Sequence, residues 1–367
     1  MSNIGSCYIH IPFCKKICSY CDFCKIFYNE KQISSYLDSL AKEIDDNYQG
    51  EVLDTLYIGG GTPSSLSLDD TKKLFSILTK LNLKKDSEVT IEANFDSITK
   101  EKIDSYVKFG INRISFGLES TQQWLLKKMN RDLDLDYVKE IVSYCKKVGI
   151  SNINIDLMYG FQKETLEELE EDINFILALD VSHISTYSLI LEEHTKLFID
   201  KEKSASEDLD YAMYQFICSK LKDYDHYEIS NFAKDKKYSR HNLCYWKNNK
   251  YYGFGLGASG YIDNIRYSNT RSISHYLKAK RRVFEEVIDN KALIEYEMIL
   301  NLRTKFGIIK EEFKKKYGKS FFNFYNIEKL LSKGYLVEDK KSIYIPEKFW
   351  YLSNEIMVEL LESECNG

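Results

Sequence analysis

Short apolar runs alternate with amphipathic stretches through the first half of the chain. The apolar runs predict six buried strands, at Cys7–Ile11, Thr55–Ile58, Glu88–Glu92, Arg113–Phe116, Asn152–Leu157 and His183–Leu189. Between them, apolar residues recur every three or four positions, which is typical of helices. The predicted helices are Gln32–Asn47, Asp69–Leu81, Thr99–Phe109, Tyr137–Val148 and Thr165–Leu179.

This alternation predicts an α/β fold in which parallel strands are connected by crossing helices. Six such units could form a partial (β/α)6 barrel. A flat, doubly wound sheet is the alternative arrangement. In either fold, functional side chains gather at the C-terminal ends of the strands.

The pattern changes near Glu207. A helix at Asp208–Lys222 is followed by a predicted strand at His226–Asn231, and a long helix is expected near Ile273–Val287. The C-terminal residues 291–367 are predicted to form helices with a small hairpin near Tyr335–Ile345.

We therefore predict three regions. Residues 1–206 form the barrel core, residues 207–290 form an extension, and residues 291–367 form a small C-terminal domain that is helical or resembles a winged helix.

Composition narrows the range of functions. The chain has 367 residues and a net charge of −5, so a strongly basic footprint is absent and nucleic acid is not the favoured partner. Its apolar runs are much shorter than the roughly 20 residues that span a bilayer, and its beginning does not read as a signal peptide. A cytoplasmic location is the default expectation.

Four of the nine cysteines fall close together, at Cys14, Cys18, Cys21 and Cys24. The first three have the spacing C-x3-C-x2-C. Three thiolates on a short loop can each bind one iron of a four-iron cluster and leave the fourth iron open to a small molecule. A zinc site, which usually needs four closed ligands, and buried unliganded thiols remain alternatives.

The context of these cysteines, Tyr8-x-His-Ile-Pro-Phe-Cys14, resembles the cluster loop of the radical S-adenosylmethionine (SAM) superfamily. It is most similar to the branch that contains oxygen-independent coproporphyrinogen III oxidases, and the resemblance extends over essentially the whole chain. It implies that Cys14, Cys18 and Cys21 bind a [4Fe–4S] cluster whose open iron is chelated by SAM. Cys24 is expected not to be a ligand.

A run of glycines follows the second predicted strand, in Gly59-Gly60-Gly61-Thr62. Glycine lets a backbone approach a ligand closely, although a simple tight turn would need glycine as well. The resemblance implies that Gly60, Gly61 and Thr62 contact the methionine part of SAM.

Further polar residues follow the predicted strands at positions that match the family. The resemblance implies that Glu92 binds SAM and that the others surround the same reaction chamber, where relatives commonly have Gln in place of Glu119. The predicted SAM-binding side chains outside the glycine run are Tyr8, Tyr20, Glu92, Glu119, Arg131 and Asp156.

The segment His241-Asn-x-x-Tyr245-Trp246 resembles a signature of the heme chaperones of this branch. An imidazole can ligate heme iron, and Tyr and Trp rings can stack on a porphyrin. The alternative is that His241 belongs to a helix cap and that the aromatic rings belong to the core. Only 13 residues precede Cys14, which disfavours the porphyrinogen decarboxylation performed by relatives with a longer N-terminal extension.

The resemblance thus implies a radical SAM protein that binds heme and transfers it to an apo-hemoprotein, with a flavodoxin or ferredoxin as electron donor. Two alternatives remain. One is a radical SAM enzyme acting on a porphyrin, by dehydrogenation, methylation or heme breakdown. The other is an iron–sulfur protein that binds SAM without turnover.

Overall fold

The computed structural model describes residues 4–364. The strands are β1 (Ser6–Ile11), β2 (Phe13–Cys14), β3 (Ile26–Phe27), β4 (Leu53–Gly60), β5 (Leu83–Asn94), β6 (Arg113–Glu119), β7 (Asn152–Tyr159), β8 (His183–Ser188), β9 (Asp225–Glu228), β10 (Asn231–Ala233), β11 (Tyr251–Phe254), β12 (Ser259–Ile262), β13 (Ile265–Asn269), β14 (Arg282–Val287), β15 (Ile308–Ile309), β16 (Val337–Glu338) and β17 (Ser342–Tyr344). The α-helices are α1 (Glu30–Asn47), α2 (Leu68–Leu78), α3 (Lys100–Phe109), α4 (Gln123–Lys128), α5 (Leu135–Lys147), α6 (Leu166–Ala178), α7 (Lys196–Ile199), α8 (Glu207–Lys220), α9 (Arg240–Trp246), α10 (Ile273–Leu277), α11 (Asn290–Asn301), α12 (Lys310–Tyr317), α13 (Glu328–Ser332) and α14 (Ser353–Leu361).

The six strands predicted in the first half are confirmed, and they lie side by side and parallel in the order β1-β4-β5-β6-β7-β8. The five predicted helices between them are also confirmed, with ends shifted by a few residues. Tyr57 of β4 and Tyr187 of β8 line the same cavity although three strands, β5, β6 and β7, lie between them in the sheet. The sheet is therefore curved into a partial barrel, and the flat alternative is excluded.

Side chains alternate in polarity along the barrel strands. In β6, Ile114, Phe116 and Leu118 are completely buried and belong to the hydrophobic core between sheet and helices. The alternate residues Arg113, Ser115, Gly117 and Glu119 face the barrel interior and line its cavity. Because successive strand residues point to opposite faces, the apolar set holds the helices in place and leaves a polar interior.

Side-chain caps fix where the helices begin. Asn29, Ser67, Thr99 and Asp134 accept hydrogen bonds from backbone N–H groups at the start of α1, α2, α3 and α5. Each cap satisfies a donor that the helix itself leaves unpaired.

The region after the barrel extends the same sheet on both sides. β10 and β9 add antiparallel strands next to β8, while β11 adds a parallel strand next to β1 and is followed by β12, β13 and β14. The predicted single strand at His226–Asn231 is wrong, because the chain turns between β9 and β10 and forms an antiparallel pair.

The predicted long helix at Ile273–Val287 is also wrong. Helix α10 ends at Leu277, and Ala279 then adopts a left-handed φ of 58°. The residues from Arg282 onward pair with β13 as a strand. Charged residues in this stretch suggest a helix, but the β-branched and aromatic side chains favour the strand once an edge is available to pair with.

The C-terminal residues form a second hydrophobic core around Trp350, separate from that of the barrel. A small three-stranded sheet, in the order β15-β17-β16, packs with α11 to α14, and the predicted hairpin is confirmed. Along residues 4–364, every helix is too short or too polar to span a membrane.

Candidate functional site

A cavity of about 460 Å³ opens at the C-terminal ends of the barrel strands and reaches into the barrel interior. The structure places eleven of the predicted site residues on its wall. They are Cys14, Cys18, Tyr20, Cys21, Gly60, Gly61, Thr62, Glu92, Glu119, Arg131 and Asp156.

Four predicted residues do not line this cavity, namely Tyr8, His241, Tyr245 and Trp246. The ring of Tyr8 packs against Tyr57, 6.0 Å between centroids, and its hydroxyl is bonded to His10.

The cysteine loop presents its thiols to the upper end of the cavity. Thr62 Oγ1 donates to Cys14 Sγ at 3.4 Å, and Arg131 Nη1 donates to Cys18 Sγ at 3.5 Å. Burial raises the pKa of the Cys14 thiol to about 11, so its thiolate at neutral pH needs the compensating charge of a metal. These donors fit sulfur ligands of an iron–sulfur cluster, whose properties depend on hydrogen bonds to sulfur.

The thiols are not arranged to hold one metal ion. No group of three or more His, Cys, Asp or Glu side chains within residues 4–364 could hold a single ion. Three thiolates on one short loop suit a cluster in which each thiolate binds a different iron, and zinc stays the alternative. Cys24 is buried and lies outside the cavity wall, and its sulfur packs close to Gly257.

Gly61 is enclosed by the cysteine loop. A Cβ at this position would lie 2.6 Å from the Pro12 carbonyl oxygen and 2.8 Å from Cys14 Sγ. Gly60 has a left-handed φ of 129° and meets Ile11 in the same way. The glycines are therefore required by the close approach of two backbones as well as by any ligand.

Glu92 lies deeper, near the end of β5, and its carboxylate is already oriented. It accepts hydrogen bonds from the Tyr57 hydroxyl at 2.8 Å and from the Gly60 N–H at 3.0 Å. Burial raises its pKa above the usual range. The carboxylate thus links the glycine run to the barrel interior.

Glu119 and Arg131 form a buried pair at the rim of the cavity. Their side chains approach to 3.7 Å, and the Tyr20 hydroxyl donates to Glu119 at 2.8 Å. Glu119 has a left-handed φ of 70° at the end of β6. The charge of Glu119 is therefore balanced by Arg131.

Asp156 lies within β7 rather than at its end. Its carboxylate accepts a hydrogen bond from Asn154 Nδ2 at 2.7 Å. Burial, and then the charge of Glu119, raises its pKa to about 7. The site consequently holds several carboxyl groups whose charge states depend on what occupies the cavity.

The predicted heme segment forms α9, which packs against β4 and α11. His241 is 1% exposed and stacks on Tyr57 at 5.1 Å between ring centroids. Its Nδ1 is 2.7 Å from Thr55 Oγ1, and its Nε2 is 2.7 Å from the Tyr245 hydroxyl.

The hydrogen-bond network assigns the protonation of His241. Thr55 Oγ1 donates its hydrogen to Ser6 Oγ at 2.9 Å, so Nδ1 donates to Thr55 and Nε2 accepts from Tyr245. Burial lowers the pKa of this imidazole to about 3, which keeps it neutral. In this conformation the lone pair that could bind iron is occupied by Tyr245, so the role of His241 as a heme ligand stays a prediction.

Sequence reasoning missed the lower part of the cavity. Its wall includes Tyr57, Arg113, Asn154, Ser185 and Asn242. A signal was present, because polar residues occupy every second position of the strands, and a strict period of two in a strand indicates one apolar and one polar face.

The parallel barrel with a polar interior and three cysteines at its open end defines a radical SAM protein. The family model for the radical SAM superfamily matches residues 8–176, and the model for the HemN C-terminal domain matches residues 288–352. The chain belongs to the HemW family of radical SAM proteins.

Two relatives show this membership. The chain is 39% identical to heme chaperone HemW of Lactococcus lactis, covering 99% of this chain and 98% of that protein. It is 36% identical to heme chaperone HemW of Bacillus subtilis, covering 96% and 97%. Coproporphyrinogen III oxidase (HemN) from Escherichia coli has the same fold, with a TM-score of 0.86 over 97% of this chain and 90% of that chain, at 21% identity.

Proposed function

We propose that this protein is a heme chaperone, which binds heme and transfers it to an apo-hemoprotein. The observation that carries the proposal is the similarity over nearly the full length to proteins described as heme chaperone HemW. This similarity includes both the barrel and the C-terminal domain, because the alignments cover 99% and 96% of this chain.

The barrel supports binding of a [4Fe–4S] cluster and SAM within this proposal. Cys14, Cys18 and Cys21 would hold three irons, and Gly60 with Gly61 would bring backbone groups next to the SAM methionine. When bound and reduced, the cluster supplies one electron for cleavage of SAM. Buried carboxyl groups, of which Glu92 and Glu119 each accept a tyrosine hydroxyl hydrogen bond, would orient SAM and exclude water.

Heme binding would use the segment His241–Trp246 only after a local change. Tyr245 must release His241 Nε2 before that nitrogen can ligate iron, because a lone pair cannot accept a hydrogen bond and bind a metal at once. Tyr245 and Trp246 are half-buried, so their rings could contact a porphyrin once the helix moves.

The test begins with anaerobic reconstitution of the cluster. Heme is then titrated into the protein and followed by its Soret absorbance, and the loaded protein is mixed with an apo-hemoprotein. We expect stoichiometric loading and transfer, and no protoporphyrinogen when coproporphyrinogen III, SAM and a flavodoxin or ferredoxin reductant are supplied.

Two results would contradict the proposal. Absence of heme binding by the cluster-loaded protein would exclude a chaperone. Conversion of coproporphyrinogen III would instead establish an enzyme that acts on porphyrinogens.

A further inference from the structure

The floor of the barrel cavity contains an arginine without a partner. Arg113, the first residue of β6, is 2% exposed and lines the cavity. Within residues 4–364 its side chain makes no hydrogen bond and no ion pair, and its Nε is fully buried without a partner. The hydroxyl of Thr90, the residue paired with it on β5, is also buried without a partner.

Arg131, the other arginine of the cavity, differs in this respect. It pairs with Glu119 and donates to Cys18 and to the Gly117 carbonyl. A buried charge is costly unless it is paired and hydrogen-bonded. Arg131 meets that requirement through its two Nη atoms, although its Nε is also unpaired, whereas no atom of the Arg113 guanidinium has a hydrogen-bond partner within residues 4–364.

A second unused donor faces the same space. Asn242 of α9 lines the cavity, and its side-chain amide makes no hydrogen bond with any residue that the structure describes. The neighbouring residue His241 is fixed by Thr55 and Tyr245, so it holds Asn242 at the floor. By contrast, the hydroxyls of Ser115 and Ser185 are already hydrogen-bonded to Asn154.

The charges around Arg113 limit the ligand that it could bind. A guanidinium presents a planar fork of donors that matches a carboxylate. Glu92 and Asp156 lie in the same cavity and interact electrostatically with Arg113. A phosphate dianion, with two negative charges, would be repelled by these carboxyl groups more strongly than a carboxylate with its single charge.

We propose that the barrel floor binds the carboxylate of a small monoanionic ligand through Arg113 and Asn242, below the predicted SAM position. The carboxylate could belong to a free short-chain acid or to an amino acid. This inference concerns ligand binding in the barrel and does not depend on heme.

The test measures carboxylate binding by ligand-observed NMR with ¹³C-labelled propionate and L-methionine as separate probes. The wild-type protein, with its cluster reconstituted, is compared with Arg113→Gln, Arg113→Lys and Asn242→Ala. Arg303→Gln serves as the control, because Arg303 lies outside the cavity and bonds to Asn354. Saturation by propionate alone identifies a free acid, and tighter binding of methionine identifies an amino acid.

We expect Arg113→Gln to weaken carboxylate binding at least tenfold and Arg113→Lys to weaken it less. Asn242→Ala should weaken it about threefold. The control Arg303→Gln should leave carboxylate binding unchanged. Without ligand, Arg113→Gln should melt no lower than wild type, because it removes an unpaired buried charge. If that variant does not fold, the Lys and Asn242 variants decide the question.

Three results would overturn the inference. The first is equal carboxylate affinity in wild type and in the Arg113 and Asn242 variants, and the second is that chloride or phosphate saturates the site equally well. The third is a lower melting temperature of Arg113→Gln with unchanged carboxylate affinity. The last result would mean that Arg113 only balances the charges of Glu92 and Asp156. Heme titration of the two Arg113 variants separates this inference from the chaperone proposal, because Arg113 lies in β6, outside the segment His241–Trp246. Loss of carboxylate binding with intact heme loading in these variants supports both.

Discussion

The cysteine loop and helix α9 both carry motifs that the sequence singles out, yet their side chains are used differently. Cys14, Cys18 and Cys21 line an open cavity. In α9, both ring nitrogens of His241 are hydrogen-bonded inside the protein. A motif therefore indicates chemistry only where its reactive atoms remain free. In this conformation α9 has a structural role, since it closes the floor of the barrel cavity.

The largest expected effect compares two cysteines of the loop. Cys18→Ser should abolish the visible absorbance and electron-paramagnetic signal of the reconstituted cluster, because a ligand is lost. Cys24→Ser should retain both signals, since Cys24 lies off the cavity wall. Equal loss in the two variants would show that Cys24 is also a ligand.

A second variant tests the packing beneath the loop. Gly61→Ala should lower SAM affinity at least tenfold and reduce cluster loading, because its Cβ would clash with Pro12 and Cys14. Equilibrium dialysis and iron content measure these effects.

Gly110→Ala is the matched control. Gly110 has a φ of 103° but nothing within 4 Å of a Cβ, so this change should cost about 1 kcal/mol of stability and leave ligand binding intact. Normal SAM binding by the Gly61 variant would mean that the loop can move aside.

A third test asks whether α9 is mainly structural. His241→Ala removes two buried hydrogen bonds and a stacked ring, so we expect a loss of about 2–4 kcal/mol in the free energy of unfolding. Urea denaturation measures this loss. Tyr245→Phe removes only the hydroxyl that bonds Nε2, and it should cost about 1 kcal/mol.

Heme titration of these two variants sharpens the comparison. If His241 ligates heme iron, Tyr245→Phe should strengthen binding because it frees Nε2, while His241→Ala should change the Soret spectrum. Unchanged spectra and affinities in both variants would leave α9 with a structural role alone.

A further test concerns the pH dependence of stability. Burial raises the pKa of Asp156 to about 7 in the folded protein, so the folded state binds more protons than the unfolded state between pH 4 and 7. Stability should therefore fall as pH rises through this range. Between pH 4 and 7, we expect the free energy of unfolding to decrease by on the order of 2 kcal/mol more in wild type than in Asp156→Asn. Urea denaturation of the cluster-free protein measures this difference. If the free energy of unfolding depends on pH equally in both proteins, Asp156 does not have a raised pKa in the folded state.

The barrel could be predicted because its signals are local. Alternating strands and helices, and the apolar positions within them, depend on neighbours a few residues apart. The stretch Ile273–Val287 was predicted wrongly because pairing with β13, rather than local preference, decides its structure.

The sequence by itself pointed to residues that line the upper cavity. Cys14, Gly61 and Glu92 occur in motifs that resemble those of the radical SAM superfamily, and the parallel fold brings strand ends to one edge. Only the tertiary structure decided which atoms remain free. It occupies both nitrogens of His241 and leaves Arg113 unpaired, because hydrogen bonds between residues as distant in sequence as Thr55 and His241 depend on how the barrel closes.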